Sequence, residues 1–126
     1  MRAALVAGVA AASLLCGLAG AGGASAHAGG KIPLLWLRLA DCESGDGDGR
    51  PPYRPSWHYN GGSGFDGGLQ FLPDTWDRAK RLYRPARQYR YAWQAHGATQ
   101  VIVARRWLRI TSWEQWPDCS RKIGVR

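Results

Sequence analysis

Two cysteines 77 positions apart, Cys42 and Cys119, set the strongest limit on what this chain can fold into. A third, Cys16, lies in a segment with the three parts of an export signal. Met1-Arg2 gives a basic start, an almost uncharged run of Ala, Leu, Val and Gly follows, and Ala24-Ser25-Ala26 supplies a small-x-small end. Residues 1–26 are therefore expected to be removed as a signal peptide. The alternative is a membrane anchor, which the many glycines and moderate apolarity disfavour. Leu15 stands where a lipid-attachment box carries a small residue, so Cys16 is expected to leave with the signal. An even pair then remains in an oxidising compartment, which reads as a disulfide, with two buried thiols as the alternative. Such a bridge would close nearly the whole domain and constrain the unfolded chain by roughly 4–5 kcal/mol. That matters for one small domain of about 100 residues, whose core is modest.

Without Met1 and Arg2 the chain holds 16 Lys plus Arg against 9 Asp plus Glu, a net charge of +7. Such a balance favours polyanions: nucleic acid, anionic lipid or acidic wall polymers. Export makes nucleic acid the weakest of these and anionic cell-wall polymers the leading choice. The run from Lys80 to Arg90 interleaves cations with tyrosines, a pattern of nucleic-acid binders that in an exported chain reads as a solvated face or a wall-polymer patch. Seven tryptophans are many for this length; they can build a small core or stack on sugar faces.

Helical periodicity begins near Ile32 and Pro33. Leu35, Leu39 and Cys42 fall on one face and Trp36, Ala40 and Glu43 on the next, with Gly45 beginning the exit. Asp41 is expected on the helix surface. Residues 44–55 read as a loop, and Trp57 to Phe71, where aromatics alternate with glycine pairs, as a small irregular β-hairpin. Pro73 opens a helix through about Leu82. Residues 84–97 give no clear period. Thr99 is a plausible cap for a helix to about Ile110, with Val103, Trp107 and Ile110 on its buried face. Residues 121–126 read as a frayed basic tail.

Glu43 is the leading chemical candidate. A carboxyl group that donates a proton near neutral pH needs a partly desolvated setting, which a helix end beside Trp36 could supply. A helix-end glutamate is also a common solvated group, so position alone decides nothing. Asp66, beside Gly67, either stabilises positive charge as a second carboxylate or bonds backbone amides in a turn; the turn is the preferred reading. His58 and His96 lack metal-ligand spacing, and neither a metal nor a cofactor is expected.

The order of motifs resembles the resuscitation-promoting factor domain, the transglycosylase-like domain of actinobacteria within the lysozyme-like superfamily. The resemblance runs through Trp36 to Gly45, including Cys42-Glu43-Ser44-Gly45; then Trp57, Asn60, Gly64, Phe65 and Gly67-Gly68-Leu69-Gln70-Phe71. It continues with Thr75-Trp76 and Gln100 and closes on Trp113, Trp116-Pro117 and Cys119-Ser120. It implies a compact α+β domain over residues 34–120, mostly helical with a small hairpin and one disulfide, after a short spacer at 27–33. It also implies Glu43 as the catalytic acid, a Cys42–Cys119 bridge, and saccharide contacts from Trp36, Trp57, Asn60, Gln70 and Trp76. Departures are Leu37 where Asp is frequent, a longer segment at 46–56, and Asp66 where an aromatic is common.

The function these readings imply is a secreted or wall-associated, monomeric glycosidase acting on peptidoglycan glycan strands, with no stable membrane span after signal removal. It would cut the β-1,4 bond between N-acetylmuramic acid and N-acetylglucosamine, as a muramidase or a lytic transglycosylase, in wall remodelling or resuscitation from dormancy. The rival is a non-catalytic peptidoglycan-binding or secreted signalling module.

Overall fold

The computed structural model describes residues 30–125 except 48, 49 and 63; the expected signal peptide, Cys16 and Arg126 lie outside the described residues. Among the described residues four α-helices carry the fold: α1 at Leu34–Ser44, α2 at Pro73–Ala79, α3 at Gly97–Leu108 and α4 at Pro117–Lys122. Single-turn 3-10 segments at Lys80–Leu82, Arg84–Gln88, Ala92–Gln94 and Trp113–Gln115 link them. The expected hairpin reduces to one antiparallel bridge, in which Asp66 and Phe71 exchange backbone hydrogen bonds of 2.8 and 2.9 Å around a tight turn. Among the described residues no helix is long and apolar enough to cross a membrane.

α1 forms where its periodicity placed it. Pro33 precedes its first turn, and Gly45 closes it by donating to Asp41 O at 2.8 Å. Trp36, Leu39 and Ala40 face the core. Pro73 likewise opens α2, and Trp76 and Ala79 are its buried residues.

The centre of the core is aromatic. Trp36 meets Trp113 and Trp116 at ring-centroid distances of 5.6 and 5.7 Å, and Phe71 bridges Trp116 at 5.9 Å to Trp76 at 5.4 Å. These edge-on and tilted pairs add specific geometry to the area they bury. Trp116 also donates its indole N–H to Leu69 O at 2.8 Å, so ring packing and a buried hydrogen bond fix the same turn. The disulfide joins Cys42 at the end of α1 to Cys119 in α4, with Cα atoms 5.7 Å apart.

Four expectations need correction. Asp41 is fully buried, because the following loop folds back over α1 and Arg54 donates its backbone N–H to Asp41 Oδ1 at 2.6 Å. Thr99 is a buried third residue of α3 and no cap; the helix already begins at Gly97, where the absence of a side chain lets the Trp57 indole pack against the backbone. Ile110 lies past the end of α3 and is 65% exposed. The chain also stays ordered beyond residue 120: α4 runs to Lys122, and Ile123 packs into the core.

Candidate active site

Glu43 occupies the last turn of α1, half-buried where α1 meets α4. Desolvation is the largest influence on its carboxyl group, and the charge of Asp118 on α4 adds to it; Lys122 opposes both. The result is a pKa pushed up to about 7. Burial disfavours the charged form, and a nearby carboxylate does the same. The carboxyl is thus largely neutral below pH 7 and able to give up a proton near it.

The next residue ties this helix end to the glycine turn. Ser44 Oγ donates to Gly68 O at 2.9 Å and accepts from Ser56 N at 3.0 Å. Gly67 adopts φ +72°, which favours glycine, and a Cβ there would lie 2.5 Å from Gln100 Oε1. A Cβ on Gly68 would overlap the Trp57 indole. Gln70 follows at φ 49°, a rare conformation for a residue with a side chain, and its amide donates to Gly67 O at 2.8 Å. The Gly-Gly-Leu-Gln sequence is thus dictated by a turn that wraps an indole on one side and presents Gln70 on the other.

Gln100 holds the turn from below. It is fully buried in α3; its Oε1 accepts from Gly68 N at 2.9 Å, and its amide donates to Trp57 O at 2.7 Å and Ala95 O at 2.9 Å. Sequence reading had placed Gln100 only as a motif match. The signal for this role was an uncharged polar residue beside the apolar stripe of α3. Gln100→Leu keeps the volume but strands three backbone groups, so it is expected to destabilise the domain by roughly 2–4 kcal/mol. Denaturant titration checks this; a loss within experimental error would show that the clamp carries no net stability.

Gln70 lines a shallow hollow of about 130 Å³ together with Phe65, Leu72, Thr75, Glu114 and Gln115. That is small beside an enclosing ligand pocket, which suits one wall of a groove for a chain-like ligand. Phe65, at 55% exposed, and Tyr59, at 51%, offer open aromatic faces nearby in sequence; sequence analysis had not singled them out as ligand contacts. Asn60 is exposed and accepts from Gly62 N at 3.0 Å. Trp57 is part-buried, wedged between Gly68 and Gly97.

Trp36 and Trp76 correct the expectation of saccharide contacts. Trp36 is 5% exposed and Trp76 fully enclosed, with its indole N–H on Tyr89 O at 3.2 Å. Neither offers a face to a sugar, because both belong to the aromatic core. Asp66 is 1% exposed; its Oδ1 accepts from Gly61 N at 2.9 Å, while Oδ2 is buried without a hydrogen-bond partner among the described residues. Its geometry is that of a turn-bracing carboxylate. His58 and His96 meet edge-on at 6.3 Å, a proximity their spacing had not revealed.

Comparison with known proteins gives a consistent pattern. The family model described as a transglycosylase-like domain matches residues 32–119. A resuscitation-promoting factor of Corynebacterium glutamicum is 39% identical over 90 residues, 71% of this chain and 40% of that protein. One of Micrococcus luteus is 33% identical over 118 residues, covering 90% of this chain and 46% of the relative. One of Mycobacterium tuberculosis is 34% identical over 102 residues, covering 81% and 60%. The chain thus spans less than two thirds of the length of each of these relatives.

Proposed function

The chain belongs to the transglycosylase-like family that includes the resuscitation-promoting factors, and from that premise we propose that it is a secreted enzyme cleaving peptidoglycan glycan strands with Glu43 as its proton donor. The observation that carries the proposal is a half-buried carboxyl with a pKa of about 7, at a helix end pinned to a turn that presents Gln70. Secretion, with residues 1–26 removed, is supported by the tripartite N-terminal sequence and by a disulfide suited to an oxidising compartment.

Neutral Glu43 donates its proton to the glycosidic oxygen between N-acetylmuramic acid and N-acetylglucosamine, and the C1–O bond breaks with positive charge developing at the muramic C1. The resulting carboxylate then takes a proton from the oxygen that attacks C1. If that is the muramic C6 hydroxyl, the product is a 1,6-anhydro sugar; if water, a reducing end. The turn-bound geometry of Asp66 favours the first course, because a carboxylate enclosed at 1% exposure is poorly placed to direct water. Gln70, and the exposed rings of Phe65 and Tyr59, are assigned to holding the strand. The burial of Trp36 and Trp76 weakens the alternative of a binding module that works by tryptophan stacking.

The pH profile of glycan cleavage tests this mechanism. Activity requires protonated Glu43, so it should fall as pH rises through about 7. Asp118→Asn removes a charge that raises the Glu43 pKa and should move this basic limb to lower pH; Lys122→Gln removes a charge that lowers it and should move the limb higher. Asp118 is an exposed partner of Arg121, so both displacements should shrink as salt is added. A limb that stays in place in both variants would assign it to another group.

A further inference from the structure

The net positive charge of the chain has one source. Residues 80–110 contain eight Lys plus Arg and no acidic residue, whereas the rest of the chain after residue 26 holds eight basic and nine acidic ones. The 3-10 segments at Lys80–Leu82 and Arg84–Gln88 pack against α3, which brings Lys80, Arg81, Arg84 and Arg87 beside the helix that carries Arg105 and Arg106.

Tyr83 is its hub. Arg106 places its guanidinium over the Tyr83 ring at 4.9 Å and donates to Leu82 O. Arg105 lines the same hollow as Tyr83, Arg84 is its chain neighbour, and Arg109 follows Arg105 by one helical turn. Arg87 is anchored by a 2.7 Å hydrogen bond to Arg81 O. Lys80 and Arg81 share Asp77, but Arg84, Arg87, Arg90, Arg105, Arg106 and Arg109 form no ion pair with a carboxylate of the described residues. All six are exposed. None is among the charges that set the acidity of Glu43.

We propose that this arginine face is a second, non-catalytic binding surface that takes an extended polyol-phosphate polymer of the cell wall. Guanidinium groups recognise phosphate oxygens by paired hydrogen bonds, and a spread of unneutralised arginines suits a polymer with one charge per repeat better than a compact anion. Nucleic acid fits less well, since binding of single strands rests on aromatic faces open to bases. Here Tyr83 lies under Arg106 and Tyr91 under Arg90, the latter at 5.3 Å, so those rings serve the arginines. The choice of a wall polymer rests on the proposed site of action; the phosphate-binding face itself does not depend on the chemistry of Glu43.

The test uses three probes with equal phosphate content: poly(glycerol phosphate), single-stranded oligodeoxythymidylate and phosphatidylglycerol vesicles. The parent protein should bind poly(glycerol phosphate) most tightly, with affinity falling as salt rises. The triple variant Arg84→Gln, Arg105→Gln, Arg109→Gln removes cations whose side chains make no hydrogen bond among the described residues. It should weaken polymer binding by roughly tenfold and flatten the salt dependence. The corresponding Lys triple, which keeps the charges but loses the paired hydrogen bonds, should keep the salt dependence and bind between the parent and the Gln triple. Cleavage of short soluble glycans should be unchanged in both. Parent-like polymer binding by a folded Gln triple would overturn the proposal, as would parent preference for the oligonucleotide or the vesicles. Loss of soluble-glycan cleavage together with polymer binding would also overturn it, by placing the face in the catalytic groove. Polymer binding by a parent protein that cleaves no glycan would uphold the face and remove only the catalytic reading.

Discussion

Glu43→Gln is expected to lower glycan cleavage by about 10²–10⁴-fold, the range typical of losing a general acid. The amide keeps the size and most of the hydrogen-bonding capacity of the carboxyl but has no proton of suitable acidity. The same variant should be no less stable than the parent. Between its ordinary value near 4.5 and its folded value of about 7, Glu43 binds more protons in the folded chain than in the unfolded one. Stability contributed by the neutral carboxyl is therefore full below about pH 4.5 and is lost as pH rises through about 7. Glutamine carries no such dependence, so melting temperatures compared at pH 5 and pH 8 should favour the variant more at pH 8. A site that costs stability when ionised and loses turnover when neutralised by substitution is what a catalytic acid predicts. Asp66→Asn serves as the comparison. If Asp66 braces the turn through Gly61, its loss should act mainly on stability; a kcat loss matching that of Glu43→Gln would give it a chemical role.

Removing the disulfide should have the second large effect. The bridge between Cys42 and Cys119 closes a loop of 77 residues, which constrains the unfolded chain by roughly 4–5 kcal/mol in the entropy model. For a domain of this size that corresponds to a fall in melting temperature of roughly 15–40 °C. The paired variant Cys42→Ala, Cys119→Ala, assayed at a temperature where it is still folded, should also lose activity. Cys42 adjoins Glu43 and Cys119 adjoins Asp118, so the bridge holds together the two elements that keep the carboxyl half-buried. Loosening them lets water reach Glu43, lowers its pKa and moves the basic limb of the pH profile to lower pH. A folded variant with the parent profile would confine the bridge to stability.

The elements most legible in sequence were those specified locally. α1 carries its own period and its own glycine stop, and α2 announces itself with Pro73. Helix register likewise placed Glu43 at the end of α1, where it stands, but its assignment as the proton donor came from the resemblance carried by Cys42-Glu43-Ser44-Gly45 and not from its position. What sequence could not reveal depended on partners distant along the chain. Asp41 sits on a helix face that periodicity alone assigns to solvent; it is buried because Arg54 comes back over it. The tryptophans allowed two readings, and only packing through Phe71 decides that Trp36 and Trp76 are core. Gln100 is a polar residue whose purpose appears only when the N–H of Gly68, 32 positions away, needs an acceptor. Residues 84–97 resist pattern reading because they are short 3-10 turns, too brief to show a period. The hairpin shrank to one bridge in a segment whose glycines serve turns and close contacts, Gly67 at positive φ against Gln100 and Gly68 against the Trp57 indole, and so leave few residues for a ladder.

The central claim is that this domain breaks glycan strands through Glu43, and mass spectrometry of purified peptidoglycan treated with the parent protein and with Glu43→Gln tests it most directly. The account predicts soluble fragments ending in muramic acid from the parent, chiefly as the 1,6-anhydro form, and a release at least about a hundredfold slower from a folded Glu43→Gln that still binds the glycan. Fragments released at the parent rate by Glu43→Gln, or none released by a folded parent protein, would contradict it.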